Sequence, residues 1–154
     1  MTESETQGTT TTAADAAARP DYRRWVYILL VFAGGCVGAT LRYVREQAIP
    51  EWNGIPIGTM VENVVGAFIL GWIIEGLTRG GPDAGGRKKA RLLFGIGMMG
   101  GFTTYSALAV DSVQLFGTHS VWVGMLYGFA TVIVGAGASF AGIGMGILTV
   151  RKHS

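Results

Sequence analysis

Gly100-Gly101-Phe102-Thr103-Thr104-Tyr105-Ser106 sits inside an apolar run from Leu92 to Phe116, where an ordinary membrane helix has no need of paired glycines followed by hydroxyl side chains. At about 1.5 Å of rise per residue, that run is long enough to cross a bilayer. Two readings are open. In one, the glycines and threonines form a close-packing face and the hydroxyls bond back to the preceding turn, which is the commoner explanation for this segment alone. In the other, the backbone leaves the helix at membrane depth. Such a departure is tolerated only where protein or a wet cavity covers it, and the released carbonyls then become ion ligands. The second reading is the central expectation: a third span, broken near its middle, that holds an ion.

Working outward, the composition agrees with a membrane setting. The chain has 154 residues, with 25 glycines, 49% hydrophobic and 14% charged residues, which is too apolar and too poor in charge for a typical soluble domain. A lone cysteine, Cys36, lies inside an apolar run and excludes a disulfide framework or a cysteine-based metal site. No cleavable signal peptide is expected, because the first apolar run starts late and continues too long.

Residues 1–21, with Thr9-Thr10-Thr11-Thr12, an alanine run and Arg19-Pro20, read as a disordered N-terminal tail, and residues 22–154 as one four-helix transmembrane domain. The first helix is predicted from Trp25 to about Gln47, and the stretch Ile49 to Pro56, with Asn53-Gly54, reads as a turn. A second helix, from about Ile57 to Leu77, places Thr59, Glu62, Asn63 and Gly66 on one face, which should point into the bundle. Asn63 there is either an interhelical hydrogen bond or part of an ion path. Glu62, at that depth, requires a partner, a proton or water. Arg79 to Arg91 reads as a basic loop, its cations Arg79, Arg87, Lys88, Lys89 and Arg91 opposed only by Asp83, and such loops usually stay cytoplasmic. The cluster is short and lacks interleaved aromatics, so nucleic acid is not an expected partner. The fourth helix, about Val121 to Val150, carries a small-residue pattern suited to close helix approach.

There is no paired His and carboxylate, no Walker-type loop, no H-E-x-x-H pattern and no serine elbow, so an enzyme is not expected. Four spans cannot enclose a wide pore, and a lone chain would expose polar stripes to lipid, where each unsatisfied group costs several kcal/mol. Dimerisation along those stripes resolves this. Physical reasoning therefore reaches an all-α membrane protein of four helices, acting as a small dimeric channel or transporter with an ion near the membrane centre.

The residues also carry a family likeness. Gly34-Gly35-Cys36-Val37-Gly38-Ala39-Thr40-Leu41-Arg42-Tyr43, then Gly58-Thr59-Met60-Val61-Glu62-Asn63-Val64-Val65-Gly66-Ala67-Phe68, then the Gly100 to Ser106 stretch resemble, in order, the signature segments of the Fluc (CrcB) fluoride channels. The resemblance implies passive fluoride efflux across the plasma membrane, an antiparallel dimer, and a central sodium ion that is structural and not transported. It assigns the sodium to the backbone carbonyls of Gly100 and Thr103. It assigns the fluoride pathway to Asn63, whose amide donates hydrogen bonds, to Thr104, Tyr105 and Ser106, to Arg42 at the vestibule and, more loosely, to Thr131.

Two departures from the family pattern stand out. The family usually has phenylalanines three apart where this chain has Tyr105 and Leu108, and an apolar residue where it has Glu62. A carboxylate at ~4 Å would repel fluoride by about 4 kcal/mol at an effective dielectric of 20, so this subunit's own pathway is expected to be impaired. Arg42 and Glu62 are expected at similar depth, about 8 Å below one surface, and to pair across adjacent antiparallel helices. Charge placement adds a further expectation. Arg19, Arg23, Arg24, Arg79, Arg87, Lys88, Lys89, Arg91, Arg151 and Lys152 share one side, which should fix both termini in the cytoplasm. A chain so oriented suits an oppositely inserted homologous partner better than a copy of itself, although a homodimer stays open if cations in the tail count for little. The alternatives are a proton-coupled cation transporter of the small multidrug type, favoured only by Glu62, and a non-conducting assembly subunit.

Overall fold

The structure, a computed structural model, describes residues 25–49 and 51–151. The expected disordered tail over 1–21, and with it Arg19, Arg23, Arg24 and Lys152, lies outside the described residues. The described chain is helical almost throughout. Helix α1 is Trp25–Ala48 and α2 is Ile57–Arg79. The third span, Gly85–Thr118, is composite: α3 (Gly85–Ala90), a wider π-helical segment (Arg91–Met99), α4 (Gly100–Phe102) and α5 (Tyr105–Thr118). Helix α6 is Val121–Arg151. All four spans are long and apolar enough to cross a membrane, which makes this an all-α multi-pass membrane protein.

The turn between α1 and α2 follows from its sequence. Asn53 and Gly54 both take positive φ, 52° and 74°, and Trp52 and Ile55 exchange backbone hydrogen bonds of 3.1 and 2.9 Å. This is the tight mirror-image turn that Asn-Gly favours, and Pro56 then precedes the first residue of α2. The basic segment differs from expectation. Only Gly80 to Ala84 is non-helical, because Arg87, Lys88 and Lys89 already lie on α3. Lysine and arginine are good helix formers, so the span extends into the charged region once the glycines and Pro82 are passed.

The spans pack as two pairs joined through the third. Helix α1 lies along the π-helical segment and α4, and α2 lies along α6. Both contacts are backbone-close. A Cβ on Gly97 would sit 2.6 Å from the Val31 carbonyl, and Cβ atoms on Gly38 and Gly101 would collide with the Met98 and Gly35 carbonyls. On the other side, a Cβ on Gly142 would collide with the Phe68 carbonyl and one on Gly71 with that of Ser139. Helices α1 and α2 touch little beyond their connecting turn, so they are not the close antiparallel neighbours that the short link suggested. The small-residue faces explain this: the glycines of α1 meet glycines of the third span, and those of α2 meet α6.

Tyr27 lies under Lys88, whose Nζ is 5.4 Å from the ring centroid, and Trp72 Nε1 donates to Thr149 Oγ1 at 3.3 Å. The start of α1, the basic turn and the end of α6 therefore share one end of the bundle. The Asn53-Gly54 turn and His119 occupy the other, with the His119 ring beside Gly54.

Candidate functional site

The third span is bent by 18° near its middle, and its helix is interrupted at Thr103 and Thr104. Thr103 has φ −76°, ψ 153° and Thr104 has φ −144°, ψ 123°, both extended. The interruption is held by side chains. Asn63 Oδ1 accepts from the Thr104 N–H at 2.8 Å, and Asn63 Nδ2 donates to the Thr104 carbonyl at 2.9 Å. The amide thus clamps one residue by both its N–H and its C=O, as a neighbouring strand would. Thr104 Oγ1 in turn accepts from the Ala107 N–H at 3.1 Å, capping the N-terminus of α5, and lies 3.2 Å from Ser106 Oγ.

These bonds decide which carbonyls are released. In an unbroken helix the Thr104 N–H would bond to Gly100 and the Ala107 N–H to Thr103. Both donors are committed to side chains instead. The carbonyls of Gly100 and Thr103 lose their helical donors, whereas the Met99 carbonyl keeps two, the Thr103 N–H and the Thr103 hydroxyl, each at 2.9 Å. Neutral oxygens released at a helix C-terminus, where the macrodipole is negative, are chemically suited to a hard monovalent cation. Gly66 supports the arrangement, because a Cβ there would collide with Thr103 Cγ2.

Asn63, Thr103, Thr104, Tyr105, Leu108, Thr131, Val132 and Gly135 surround a cavity of about 260 Å³. Of the residues expected along a fluoride pathway, Asn63, Thr104, Tyr105 and Thr131 meet here, and Ser106 joins through Thr104. Tyr105 is 82% exposed in the single chain, whereas Leu108 and Thr131 are buried. The Thr131 hydroxyl donates to the Tyr127 carbonyl of its own helix at 2.8 Å, so it offers the cavity an acceptor. Arg42 stands apart, half-buried and 3.9 Å from Glu46.

The expected Arg42–Glu62 pair is replaced by Arg45–Glu62, a close ion pair between Nη2 and Oε2. Arg42 and Arg45 share one broad face of α1, but Arg45 is about 4.5 Å nearer the turn to α2, where the two helices still approach each other. The Arg45 side chain lies over Gly58, where a Cβ would come 3.4 Å from its Cζ. Glu62 is 1% exposed and does not line the cavity of Asn63, so its charge is offset on another side of α2. Arg45 also borders a second, more polar cavity of about 220 Å³, together with Glu46, Glu51, Thr59 and Asp111. The sequence reading gave Asp111 no role. A lone carboxylate inside an apolar helix was the signal that could have found it. Nearby, the Tyr127 hydroxyl donates to the Pro56 carbonyl at 2.9 Å. The basic end is partly neutralised: Arg79 pairs with Glu75, and Arg91 makes bonds of 3.1 and 2.6 Å to Asp83. Hydrogen bonding to Arg91 holds the Asp83 carboxyl below its ordinary range.

Residues 29–143 match the family described as CrcB-like protein, Camphor Resistance (CrcB). The chain belongs to the CrcB-like family. A relative in Leifsonia xyli subsp. xyli, named fluoride-specific ion channel FluC 2, is 48% identical over 119 residues, covering 77% of this chain and 82% of the relative. One in Cutibacterium acnes, named fluoride-specific ion channel FluC 1, is 44% identical, covering 74% and 80% of the two chains. One in Oceanobacillus iheyensis, named fluoride-specific ion channel FluC, is 34% identical, covering 82% and 95%. The CrcB-like region contains every candidate residue from Arg42 to Thr131, and Arg45, Glu62 and Asp111 as well.

Proposed function

We propose that this chain is a fluoride channel subunit that lets fluoride cross the plasma membrane passively and so lowers its cytoplasmic concentration. The observation that carries the reading is the clamped break. It presents the N-terminus of α5, with its positive macrodipole end, to a cavity shared by Asn63, Thr104, Tyr105 and Thr131. One Asn63 N–H is committed to the Thr104 carbonyl, and the amide's second N–H supplies a donor for a small anion. Tyr105 adds a ring edge and Ser106 a hydroxyl, while Arg42 supplies fixed positive charge toward the mouth. The relatives' names agree with this choice of ion.

The carbonyls of Gly100 and Thr103 would hold a sodium ion, which supplies fixed charge at the centre and is not itself transported. Tyr105 and the cavity open on the outside of the single chain, which suits closure by a second subunit in antiparallel orientation. The collection of Arg79, Arg87, Lys88, Lys89, Arg91 and Arg151 at one end supports a cytoplasmic location for that end. It also favours a homologous second subunit of opposite insertion. The cation-transporter reading loses its one support, because a carboxylate tied to Arg45 is not free to trade a proton for a cation.

Fluoride release from proteoliposomes, followed with a fluoride electrode, tests the function. Sodium-dependent release by the protein alone or with a homologous partner is expected. No release from any combination overturns the reading. Labelling of single cysteines at both termini in intact cells tests orientation: cytoplasmic-only labelling is expected, and labelling from both faces removes the argument for a second kind of subunit.

A further inference from the structure

We infer that Asn63 and Thr104 are positioning residues for the cation: they keep the third span open by taking the two backbone donors that would otherwise close on Gly100 and Thr103. The inference rests on the sodium reading above and deepens it.

The geometry distinguishes a held break from a merely distorted helix. Thr103 and Thr104 are extended, so the carbonyls preceding them need donors elsewhere or a cation, and the two amides that could re-form the helix are engaged at 2.8 and 3.1 Å. Neither bond involves the ion. The Asn63 amide comes from a different span, 41 residues away, and holds both the N–H and the C=O of Thr104. Thr104 then uses its own hydroxyl on Ala107. Loss of the Thr104 oxygen returns the Ala107 N–H to the Thr103 carbonyl, and loss of the Asn63 amide returns the Thr104 N–H to Gly100. Each loss removes one proposed ligand by satisfying it internally. The ligand set is therefore preorganised by neutral groups, and sodium does not have to break a helix in order to bind.

Thermal unfolding of the purified full chain, titrated with sodium chloride against N-methylglucamine chloride at constant ionic strength, reads cation binding without fluoride flux. Wild type and Thr104→Ser, which keeps the oxygen, are expected to show the same half-saturating sodium concentration. Thr104→Val and Asn63→Ala are expected to need about tenfold more sodium, the effect of roughly one lost ligand interaction. If Thr104→Val does not fold, Thr104→Ala removes the same oxygen with less bulk. Sodium stabilisation in the wild type, with unchanged half-saturation in every variant lacking the oxygen or the amide, overturns the inference and leaves the sodium reading standing. No sodium stabilisation in the wild type overturns both.

Discussion

Glu62 and Asn63 are consecutive on α2, yet they settle polar groups in the membrane by opposite means. Asn63 meets neutral backbone and satisfies both the N–H and the C=O of Thr104. Glu62 meets a charge, Arg45, and the pair remains incomplete: Glu62 Oε1 and Arg45 Nε have no hydrogen-bond partner among the described residues. The neutral clamp fixes a backbone shape, whereas the ion pair mainly removes a charge that burial would otherwise penalise. Shape is thus controlled at the centre of the bundle and electrostatics near the mouth, from adjacent positions of one helix.

The largest expected effect comes from breaking the ion pair. Arg45→Gln leaves a buried carboxylate without its cation and should cost about 3–5 kcal/mol, read as lost folded protein and a lowered melting temperature. The double variant Arg45→Gln with Glu62→Gln should recover most of that loss. A single variant as stable as wild type would show that Glu62 is neutralised by another route. Next is the clamp. Asn63→Ala removes both bonds to Thr104 and should cost about 2–3 kcal/mol, with fluoride release falling in parallel. Asn63→Asp, which accepts from the Thr104 N–H but donates nothing, should not restore release. A milder test acts through packing: Gly66→Ala pushes a methyl into Thr103 Cγ2 and should cost about 1–3 kcal/mol. Thr103→Ser in that background removes the clashing methyl, so recovery of stability would locate the effect, and absence of recovery would place it elsewhere on α2.

The smallest effect lies outside the membrane, at Asp83. Its carboxyl titrates lower in the folded protein than in the unfolded chain, because Arg91 bonds to it. The stabilisation is therefore present above the ordinary aspartate range and lost as pH falls through the lowered value. The melting temperatures of wild type and Asp83→Asn should differ slightly at neutral pH and converge in acid. A gap that widens in acid would contradict the pairing.

Much of this architecture is legible in the residues. Apolar runs bounded by Asn53-Gly54, Pro82 and Ser120 delimit the spans, and Gly100 to Ser106 marks where the third one breaks, because periodicity and turn chemistry are local properties. What the sequence hides is how the spans pair with one another. Arg42 and Arg45 share one broad face of α1 about 4.5 Å apart along its axis, and because α1 packs on the third span and meets α2 only near their connecting turn, it is Arg45 that reaches Glu62. Asn63 reads as a donor to a passing anion, and its bond to a peptide 41 residues later is set by the close approach of α2 to the break. The basic stretch reads as a loop because its composition is polar, although its lysines and arginines are equally able to continue a helix.

The clamp also bears on how the protein is made. Inserted without α2, the third span lacks the Asn63 side chain that takes the Thr104 N–H, and in hydrocarbon the cheapest partner for that donor is the Gly100 carbonyl. The span should therefore enter the bilayer as an unbroken helix and open only when Asn63 docks beside it. The Gly100 carbonyl is not offered before that docking. Ion occupancy then reports completed assembly, because a chain whose second and third spans have not met lacks the Gly100 ligand.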